Sequence, residues 1–346
     1  MAGDGYRVGV MGATGAVGTT ILKLLHERGF PAREVVAYAS ERSAGKELAW
    51  GGGTLVVQPL NEETIQGVDV VLSSPGGAVS SEWSPRFSRA GATVVDNTSF
   101  WRMYEDVPLV VAGVNDEAAE AHEGIVANPN CTTMVMMMAL APIHRAVGLE
   151  RFVMSSYQAV SGTGQKAIEE LRAQARAILA GDQPPAPAVY PHQIAFNVMP
   201  QVESFKDGDD YTTEERKVMA ETRKILGVGE EVGISATCAR VPVFVGHSES
   251  INLQTREDLS PEQCRALLDE SPGIQVLDDP AAGGYPTSIQ TAGQDDVFVG
   301  RIRRDPSQER TLNLWVSGDN LRKGAATNAV QVAEVLIDRG WLLNQR

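Results

Sequence analysis

The chain has 346 residues, of which 43% are apolar and 21% are charged, and its 30 basic and 44 acidic side chains leave a net charge of −14. This composition is typical of a globular protein with two domains or one large α/β unit, and it excludes a disordered, collagen-like or coiled-coil chain. The acidic balance argues against nucleic acid as a partner, and the lack of an apolar run of about 18 residues argues against a membrane span.

The first 130 residues alternate between short apolar strands and helices. A helix is predicted over Val17–Arg28, because apolar side chains recur there at helical spacing and Gly29 follows. Strands are predicted over Tyr6–Met11, Glu34–Ala39, Thr54–Val57, Asp69–Leu72, Thr93–Asp96, Leu109–Ala112 and Ile125–Ala127. Near-continuous β-branched runs are typical of parallel strands that helices cover on both faces. Residues 1–130 are therefore predicted to form a doubly wound, mostly parallel nucleotide-binding domain.

From about residue 150 the strands become longer and amphipathic. Strands are predicted over Phe152–Ala159 and Glu231–Val245, and helices over Gln165–Leu179 and Thr213–Leu226. This pattern indicates an α+β domain with a mostly antiparallel sheet over residues 131–324. The last helix, Ala325–Arg339, is expected to pack back on the first domain, so that residues 325–346 complete it.

Residues 12–18 read GATGAVG, directly after a strand and at the start of a helix. Glycines let the backbone approach a pyrophosphate, and the helix start supplies free N–H groups and a positive dipole. The spacing is GxxGxxG instead of GxGxxG, so a tight turn without a ligand is the alternative to dinucleotide binding.

The loop after the second strand indicates which dinucleotide would bind. Ser40, Arg42 and Ser43 offer hydroxyl and guanidinium donors to the 2′-phosphate of NADP, whereas an acidic residue at this place holds the ribose 2′-OH of NAD. Glu41 is such an acid, and a solvated charged loop is the alternative without a ligand. The residues favour NADP.

Cys131 follows a predicted buried strand and precedes a helix over Thr132–Val147. The dipole and unpaired N–H groups of a first helical turn stabilise a thiolate, which is the condition for an activated nucleophile. An inert buried thiol is the alternative. Cys238, within a strand, and Cys264, within a helix, are predicted to be packing residues.

Cysteine usage and the N-terminus bear on the compartment. The three cysteines are far apart and include no CxxC pair, so neither a disulfide frame nor a metal site is predicted. The first residues lack the basic and apolar regions of a signal peptide. We therefore expect a cytoplasmic protein without a metal.

Seven ordered segments resemble the bacterial type of the aspartate-β-semialdehyde dehydrogenase family, along nearly the whole chain. They are GATGAVG (12–18), SERSAGK (40–46), NPNCTT (128–133), YQAVSGTG (157–164), YPHQIAFNV (190–198), RVPVFVGHSES (240–250) and GDNLRKGAATNAVQ (318–331). The resemblance implies a Rossmann domain and an α+β catalytic and dimerisation domain, assembled as a homodimer or tetramer. It also implies NADPH-dependent reductive dephosphorylation of L-aspartyl-4-phosphate to L-aspartate-4-semialdehyde, toward lysine, threonine, methionine and diaminopimelate.

The resemblance also implies a role for individual residues. Cys131 would be the nucleophile that forms a thioester, His247 the general acid/base, and Gln158 the residue that orients the substrate. The substrate carboxylate would pair with Arg240, its ammonium group with Glu214, and its phosphate with Arg102, Asn130 and Lys217. The NADP contacts would be Gly12, Thr14, Gly15, Ala16, Val17, Ser40, Arg42, Ser43, Ser161, Gly162, Asn320 and Gln331.

Without the resemblance, the same residues permit other interpretations. Glu214 and Lys217 are spaced i,i+3 on a predicted helix and would suit a surface ion pair of small value. His247 would equally suit an idle position at a strand end, whereas an inward Arg240 needs an anion. The alternative functions are N-acetyl-γ-glutamyl-phosphate reductase, whose motif typically reads Pro-Gly-Cys-Tyr, and a non-catalytic NADP-binding homologue.

Overall fold

The computed structural model describes residues 5–345, so residues 1–4 and 346 of the predicted domain ranges lie outside the described part. The chain divides into a first unit, Met1–Asn130 with Ala325–Arg346, and a second unit, Cys131–Gly324. No helix within residues 5–345 is both long enough and apolar enough to cross a membrane.

Strands and helices are numbered separately, each in chain order. The strands are β1 Tyr6–Met11, β2 Ala32–Ala39, β3 Glu47–Trp50, β4 Gly53–Val56, β5 Gln58–Pro59, β6 Val70–Ser73, β7 Thr93–Asp96, β8 Ile125–Ala127, β9 Leu149–Gln158, β10 Gly233–Arg240, β11 His247–Thr255, β12 Ile274–Val276, β13 Val297–Arg304 and β14 Thr311–Gly318. The helices are α1 Ala16–Glu27, α2 Gly77–Arg89, α3 Cys131–Val147, α4 Gln165–Ala180, α5 Thr213–Leu226, α6 Pro261–Asp269, α7 Ser288–Thr291 and α8 Thr327–Asp338.

The first unit is built on a six-stranded sheet in the order β5-β2-β1-β6-β7-β8. Every strand pair in it is parallel, which confirms the predicted parallel sheet. Its strands are buried because helices cover it: side chains of β1, such as Val8 and Val10, share one apolar cluster with Ile21 of α1 and Val332 of α8.

Two of the predicted strands of this unit differ from the structure. The segment predicted over Thr54–Val57 becomes β4, which pairs antiparallel with β3 in a separate two-stranded sheet. The segment Leu109–Ala112 forms only an isolated bridge between Leu109 and Ala127. Both segments carry β-branched residues, and that composition alone does not state which partner a strand finds.

The second unit is built on a six-stranded sheet in the order β10-β9-β11-β14-β13-β12. The pairs β9–β11, β11–β14 and β13–β14 are antiparallel, and the outer pairs β9–β10 and β12–β13 are parallel. The predicted mostly antiparallel sheet is confirmed. The strand predicted over Glu231–Val245 is shorter, since β10 ends at Arg240 and Pro242, which follows, has no N–H for a ladder.

Helix α5 begins at Thr213, as predicted, because a capping box joins Thr212 and Glu215. It ends at Gly227, whose φ of 65° is left-handed. The sheet register then brings functional side chains to one edge. Arg240 at the end of β10 pairs with Gln158 at the end of β9, and antiparallel β11 starts beside them at His247.

Candidate active site

Cys131 is the first residue of α3 and lies against the ring of His247. The Sγ atom is 3.3 Å from Nε2 of His247. Cys131 is half-buried, whereas Cys238 and Cys264 are buried, and within the described residues none of the three forms a disulfide. Burial raises the pKa of Cys264 to about 12 and also raises the pKa of Cys238. Of the three thiols, the structure therefore places only that of Cys131 at a helix start beside an imidazole.

A backbone hydrogen bond determines the tautomer of His247, that is, which ring nitrogen carries the proton. The N–H of Ala159 donates to Nδ1 over 3.1 Å, so Nδ1 is the acceptor and the neutral ring carries its proton on Nε2. Burial, and after it the charge of Arg240, lowers the pKa of His247 to about 3. The neutral ring therefore directs an N–H toward Sγ.

Arg240 lies next to this pair and is 5% exposed. Its Nη1 donates to the carbonyl of Ala159 over 2.8 Å. Among the described residues its buried Nε has no hydrogen-bond partner. A Cβ on Gly162 would lie 3.3 Å from Nη1 of Arg240 and 3.4 Å from Cε1 of His247. Because residue 162 is glycine, there is space beside the guanidinium group of Arg240. That space and the Nε–H donor, unpaired within the described residues, together suit the binding of an anion.

Gln158 and Glu214 extend the cluster on the same edge of the sheet. The Nε2 of Gln158 donates to Glu214 over 3.1 Å and to Ser156 over 3.2 Å. Lys217 is 2.9 Å from the other oxygen of Glu214 and 2.5 Å from Glu203. Burial lowers the pKa of Lys217, but the two carboxylates outweigh it, and the pKa is raised.

Ser161 and Asn320 support the turn before His247. The amide of Asn320 donates to Ser161 Oγ over 2.9 Å and accepts from the backbone N–H of Gly246 over 2.9 Å. Gly246 has a φ of +96°, and a Cβ there would lie 2.8 Å from the carbonyl of Ser288. Two residues predicted to contact NADP are therefore connected to the predicted catalytic histidine through one turn.

In the first unit, Arg102 is 7% exposed and held by backbone carbonyls. Its Nε donates to Asn128 over 2.9 Å and its Nη2 to Asn97 over 2.8 Å. Asn128 donates in turn to Asn97 Oδ1 over 2.6 Å. Asn130, also buried, ends the first segment of this unit, directly before Cys131.

The glycine turn of the first unit fits a phosphate. Gly12 has a φ of +80°, and a Cβ there would lie 2.5 Å from the carbonyl of Ser74. A Cβ on Gly18 would lie 2.2 Å from the carbonyl of Gly12. Helix α1 begins after Gly15 without a side-chain cap, so its first N–H groups are available to an anion. Thr14 and Gly15 are exposed, and Ala16 and Val17 are half-buried.

The remaining predicted cofactor residues are spread over this unit. Ser40 is exposed and directly precedes the short turn at Glu41–Ser43 that follows β2, in which Arg42 is exposed and Ser43 is half-buried. Gln331 is half-buried on α8. Within residues 5–345, no three His, Cys, Asp or Glu side chains gather in a way that would hold a metal ion.

Comparisons with known proteins agree with this architecture. Residues 7–122 match the family model "Semialdehyde dehydrogenase, NAD binding domain", and residues 140–323 match "Semialdehyde dehydrogenase, dimerisation domain". The aspartate-semialdehyde dehydrogenase of Aquifex aeolicus is 51% identical over 341 residues, which cover 98% of this chain and 100% of the relative. That of Bacillus subtilis is 44% identical, over 96% of this chain and 98% of the relative.

This chain belongs to the aspartate-semialdehyde dehydrogenase family. It is thus an oxidoreductase. A crystal structure of aspartate semialdehyde dehydrogenase II from Vibrio cholerae, complexed with ASA, matches with a TM-score of 0.93 and 43% identity, covering 97% of this chain and 99% of the other. A structure of the enzyme with NADP from Candida albicans matches with a TM-score of 0.75 and 27% identity, covering 96% of this chain and 98% of the other.

Four features of this family member's structure escaped prediction from sequence. Glu203 lies 2.5 Å from Lys217 but precedes α5 in an irregular loop that carries no periodic signal. The N–H of Ala159 binds His247 through the backbone, which side-chain identity does not report. Gly324 packs on Cys131, since a Cβ there would lie 3.1 Å from Cβ of Cys131; the motif GDNLRKG contains it without indicating that contact.

Glu249 is a fourth feature, two residues after His247 on β11. It is fully buried, between Ser156 on β9 and Val316 on β14 in the register. Within the described residues, neither carboxyl oxygen has a hydrogen-bond partner. Burial raises the pKa of Glu249 well above its ordinary value of 4.5, so the carboxyl stays protonated to a higher pH in the folded enzyme than in the unfolded chain.

We expect Glu249→Gln to stabilise the enzyme, and the gain should grow with pH. Because the pKa of Glu249 is higher in the folded enzyme than in the unfolded chain, the free energy of unfolding is highest below pH 4.5. It falls as the pH rises from there through the folded pKa. The amide has no such proton to lose. Urea unfolding at pH 5 and pH 8 measures the difference, with exposed Glu150→Gln as control. A gain that is equal at both pH values would contradict the buried, protonated carboxyl.

Proposed function

We propose that this chain catalyses the reversible, NADPH-dependent reduction of L-aspartyl-4-phosphate to L-aspartate-4-semialdehyde and phosphate, through a thioester on Cys131. This would be the branch step toward lysine, threonine, methionine and diaminopimelate. The observation that carries the proposal is the 3.3 Å approach of Sγ of Cys131 to Nε2 of His247 at the start of α3. The names of the relatives, and the similarity to a Vibrio cholerae enzyme complexed with ASA, support the substrate.

The thioester forms by attack of the Cys131 thiolate on the acyl carbonyl, with phosphate as the leaving group. The helix dipole and the Nε2–H of His247 both stabilise negative charge on Sγ. NADPH, when bound, supplies the hydride that reduces the thioester carbonyl. Hydride addition leaves a thiohemiacetal oxyanion, which re-forms the C=O bond as the C–S bond breaks and so releases the aldehyde and the thiolate. The Nε2–H of His247 donates a hydrogen bond to the departing sulfur.

The charged side chains around the thiol are complementary to the carboxylate, ammonium and phosphate groups of the proposed substrate. Arg240, whose buried Nε lacks a partner within residues 5–345, would bind the α-carboxylate, whose two oxygens match a guanidinium fork. Glu214 would accept from the ammonium group, and Gln158, hydrogen-bonded to Glu214, would orient the reacting carbonyl. Lys217 would bind the phosphate, a role that the family resemblance also gives to Arg102 and Asn130.

The cofactor residues are the glycine turn and the loop after β2. The start of α1, which has no side-chain cap, supports a pyrophosphate at this turn, and glycine at 12 and 18 lets the backbone of the turn pack this tightly. Arg42, with Ser40 and Ser43, would contact the 2′-phosphate. The resemblance adds Ser161, Gly162, Asn320 and Gln331 as contacts.

The family match and the cysteines bear on the assembly and the compartment. The match to a dimerisation domain over residues 140–323 supports a homodimer built on the second unit. Three thiols that form no disulfide among the described residues suit the reducing cytoplasm.

The activity is tested by phosphate-dependent reduction of NADP by aspartate semialdehyde, assayed beside N-acetylglutamate semialdehyde. We expect turnover with the first aldehyde alone, because Glu214 suits a free ammonium group that the acetylated substrate lacks. Preference for the acetylated aldehyde would indicate N-acetyl-γ-glutamyl-phosphate reductase instead. Turnover with neither would indicate a non-catalytic homologue.

Arg42→Ala should weaken NADP binding by about 1–3 kcal/mol, as expected for the loss of a charge-assisted hydrogen bond. Binding of NAD, which has no 2′-phosphate, should change little. Titration of both cofactors against the wild type and the variant measures the two effects. Equal losses for NADP and NAD would mean that Arg42 does not contact the 2′-phosphate, and Glu41 would then favour NAD.

Lys217→Ala and Arg240→Lys should separate the two anion sites. In the phosphate-dependent direction, Lys217→Ala should raise the KM for phosphate more than the KM for the aldehyde. Arg240→Lys should do the reverse, because an ammonium group does not reproduce the bidentate fork. Each loss in kcat/KM should correspond to roughly 2–4 kcal/mol.

The control for Lys217→Ala is Arg216→Ala, which removes the neighbouring positive charge. Arg216 lies on the same helix but pairs at the surface with Asp209 over 2.6 Å. Parallel shifts of both KM values in Lys217→Ala and Arg240→Lys would contradict two distinct anion sites.

A further inference from the structure

Lys217 is held between two carboxylates, only one of which belongs to the proposed substrate site. Its Nζ is 2.9 Å from Glu214 and 2.5 Å from Glu203. We infer that Glu203 is a positioning residue that occupies Lys217 while phosphate is absent and competes with phosphate for its ammonium group. This inference rests on the proposed function, in which Lys217 receives the phosphate.

The backbone of Glu203 is shaped to make this contact. Its φ of 64° is left-handed, a conformation that non-glycine residues seldom adopt. The other carboxyl oxygen accepts from Thr213 Oγ1 over 2.6 Å, and Thr213 N–H donates to the carbonyl of Ser204 over 2.9 Å. The carboxylate is therefore held by a hydroxyl and a lysine at the start of α5.

The two groups that hold the Glu203 carboxylate, Thr213 Oγ1 and Lys217 Nζ, would also bind another oxyanion such as phosphate. A hydroxyl donor and an ammonium group at a helix start form a site for negative charge, and the Glu203 carboxylate fills it from within the chain. The side chain of Glu203 is 43% exposed, against 4% for Glu214. Glu203 can thus swing into solvent, whereas Glu214, hydrogen-bonded to Gln158, stays in place.

Charge repulsion explains why the Glu203 carboxylate would leave Lys217 when phosphate binds. One ammonium group already faces two carboxylates, so an arriving phosphate dianion would place further negative charge beside Glu203. Coulomb repulsion between groups a few ångströms apart disfavours their joint binding. Removal of the Glu203 charge should therefore strengthen phosphate binding, whereas loss of a residue that only orients Lys217 would weaken it.

The test is Glu203→Gln, which keeps the length of the side chain and removes its charge. We expect the KM for phosphate to fall about two- to fivefold, the range that the modest strength of half-exposed ion pairs permits, while the KM for the aldehyde stays unchanged. Glu203→Gly, which accepts the positive φ, should act in the same direction if the glutamine variant folds poorly. A KM for phosphate that is unchanged or raised in the folded variants would overturn the inference.

Two controls separate this effect from a change in net charge. Glu230→Gln removes one charge near the other end of α5, where Glu230 pairs with Arg223 over 3.0 Å, and it should leave the KM for phosphate unchanged. In the Lys217→Ala background, Glu203→Gln should no longer lower that KM, because the group for which Glu203 competes is absent. A decrease that persists without Lys217 would contradict the competition.

Binding of inorganic phosphate, measured by its effect on thermal unfolding, separates failure of this inference from failure of the proposed function. Tighter phosphate binding by Glu203→Gln without any aldehyde turnover would support the competition and reject the proposed reaction. Normal turnover by the wild type with equal phosphate binding by both proteins would reject the competition alone.

Discussion

Cys131→Ala is expected to lower kcat/KM by at least about 10³-fold, because the thioester route needs a covalent nucleophile. No other thiol can replace it. Cys238 and Cys264 are fully buried, and burial raises the pKa of both, to about 12 for Cys264. The measurement is NADP reduction by aspartate semialdehyde in the presence of phosphate.

The matched controls are Cys238→Ala and Cys264→Ala, which remove a thiol elsewhere in the same unit. Both should retain turnover and lose at most some stability, since each leaves only a small cavity. Near-normal activity of Cys131→Ala, with a correctly folded protein, would be incompatible with covalent catalysis by this chain.

His247→Ala should lower kcat by roughly 10²–10³-fold, the range for loss of one hydrogen bond to charge that develops in the transition state. The neutral ring donates from Nε2 because Ala159 N–H occupies Nδ1. His247→Gln should therefore retain part of the activity, since its amide can also present an N–H near Sγ. Steady-state rates of both variants measure the difference.

The pH dependence tests the protonation state of His247. Burial and the Arg240 charge lower its pKa to about 3, so the ring stays neutral from pH 5 to pH 8. The kcat/KM profiles of the wild type and of His247→Gln should have the same shape in that range. An inflection near pH 6.5 that only the wild type shows would mean that the ring titrates in the free enzyme.

The helix start at Cys131 could be predicted because local chemistry determines it. A buried strand, the turn at Asn128–Asn130 and a run of apolar residues predict a helix here, and the structure begins α3 at Cys131 itself. The capping box at Thr212 was predictable for the same reason. Such signals lie within a few residues of each other, where backbone propensity and capping decide the structure.

Contacts between distant segments could not be predicted in this way. Glu203 contacts Lys217 through a left-handed backbone, and Glu249 is buried without a hydrogen-bond partner among the described residues, although its neighbours along β11 are polar. The strand at Gly53–Val56 joined a hairpin and not the parallel sheet, since tertiary pairing overrides local β preference. The resemblance named the site residues, but the tautomer of His247 follows only from the hydrogen bond that Ala159 N–H makes in the folded chain.

The family resemblance and the geometry support different parts of the proposed function. Similarity supports which substrate the enzyme takes. The 3.3 Å contact between Cys131 and His247, and the Nε of Arg240 that has no partner in the described part of the chain, support how it would react. Of the proposed roles, that of Cys131 as the nucleophile can be tested most directly.

Trapping the thioester on Cys131 tests the proposed mechanism most directly. Wild-type enzyme mixed with aspartate semialdehyde and NADP, without phosphate, should release about one equivalent of NADPH per subunit in a burst and then stall. Mass spectrometry of the stalled protein should locate an aspartyl group on the peptide that contains Cys131, and added phosphate should remove it. Absence of both the burst and the adduct, or an adduct on Cys238 or Cys264, would contradict the thioester on Cys131.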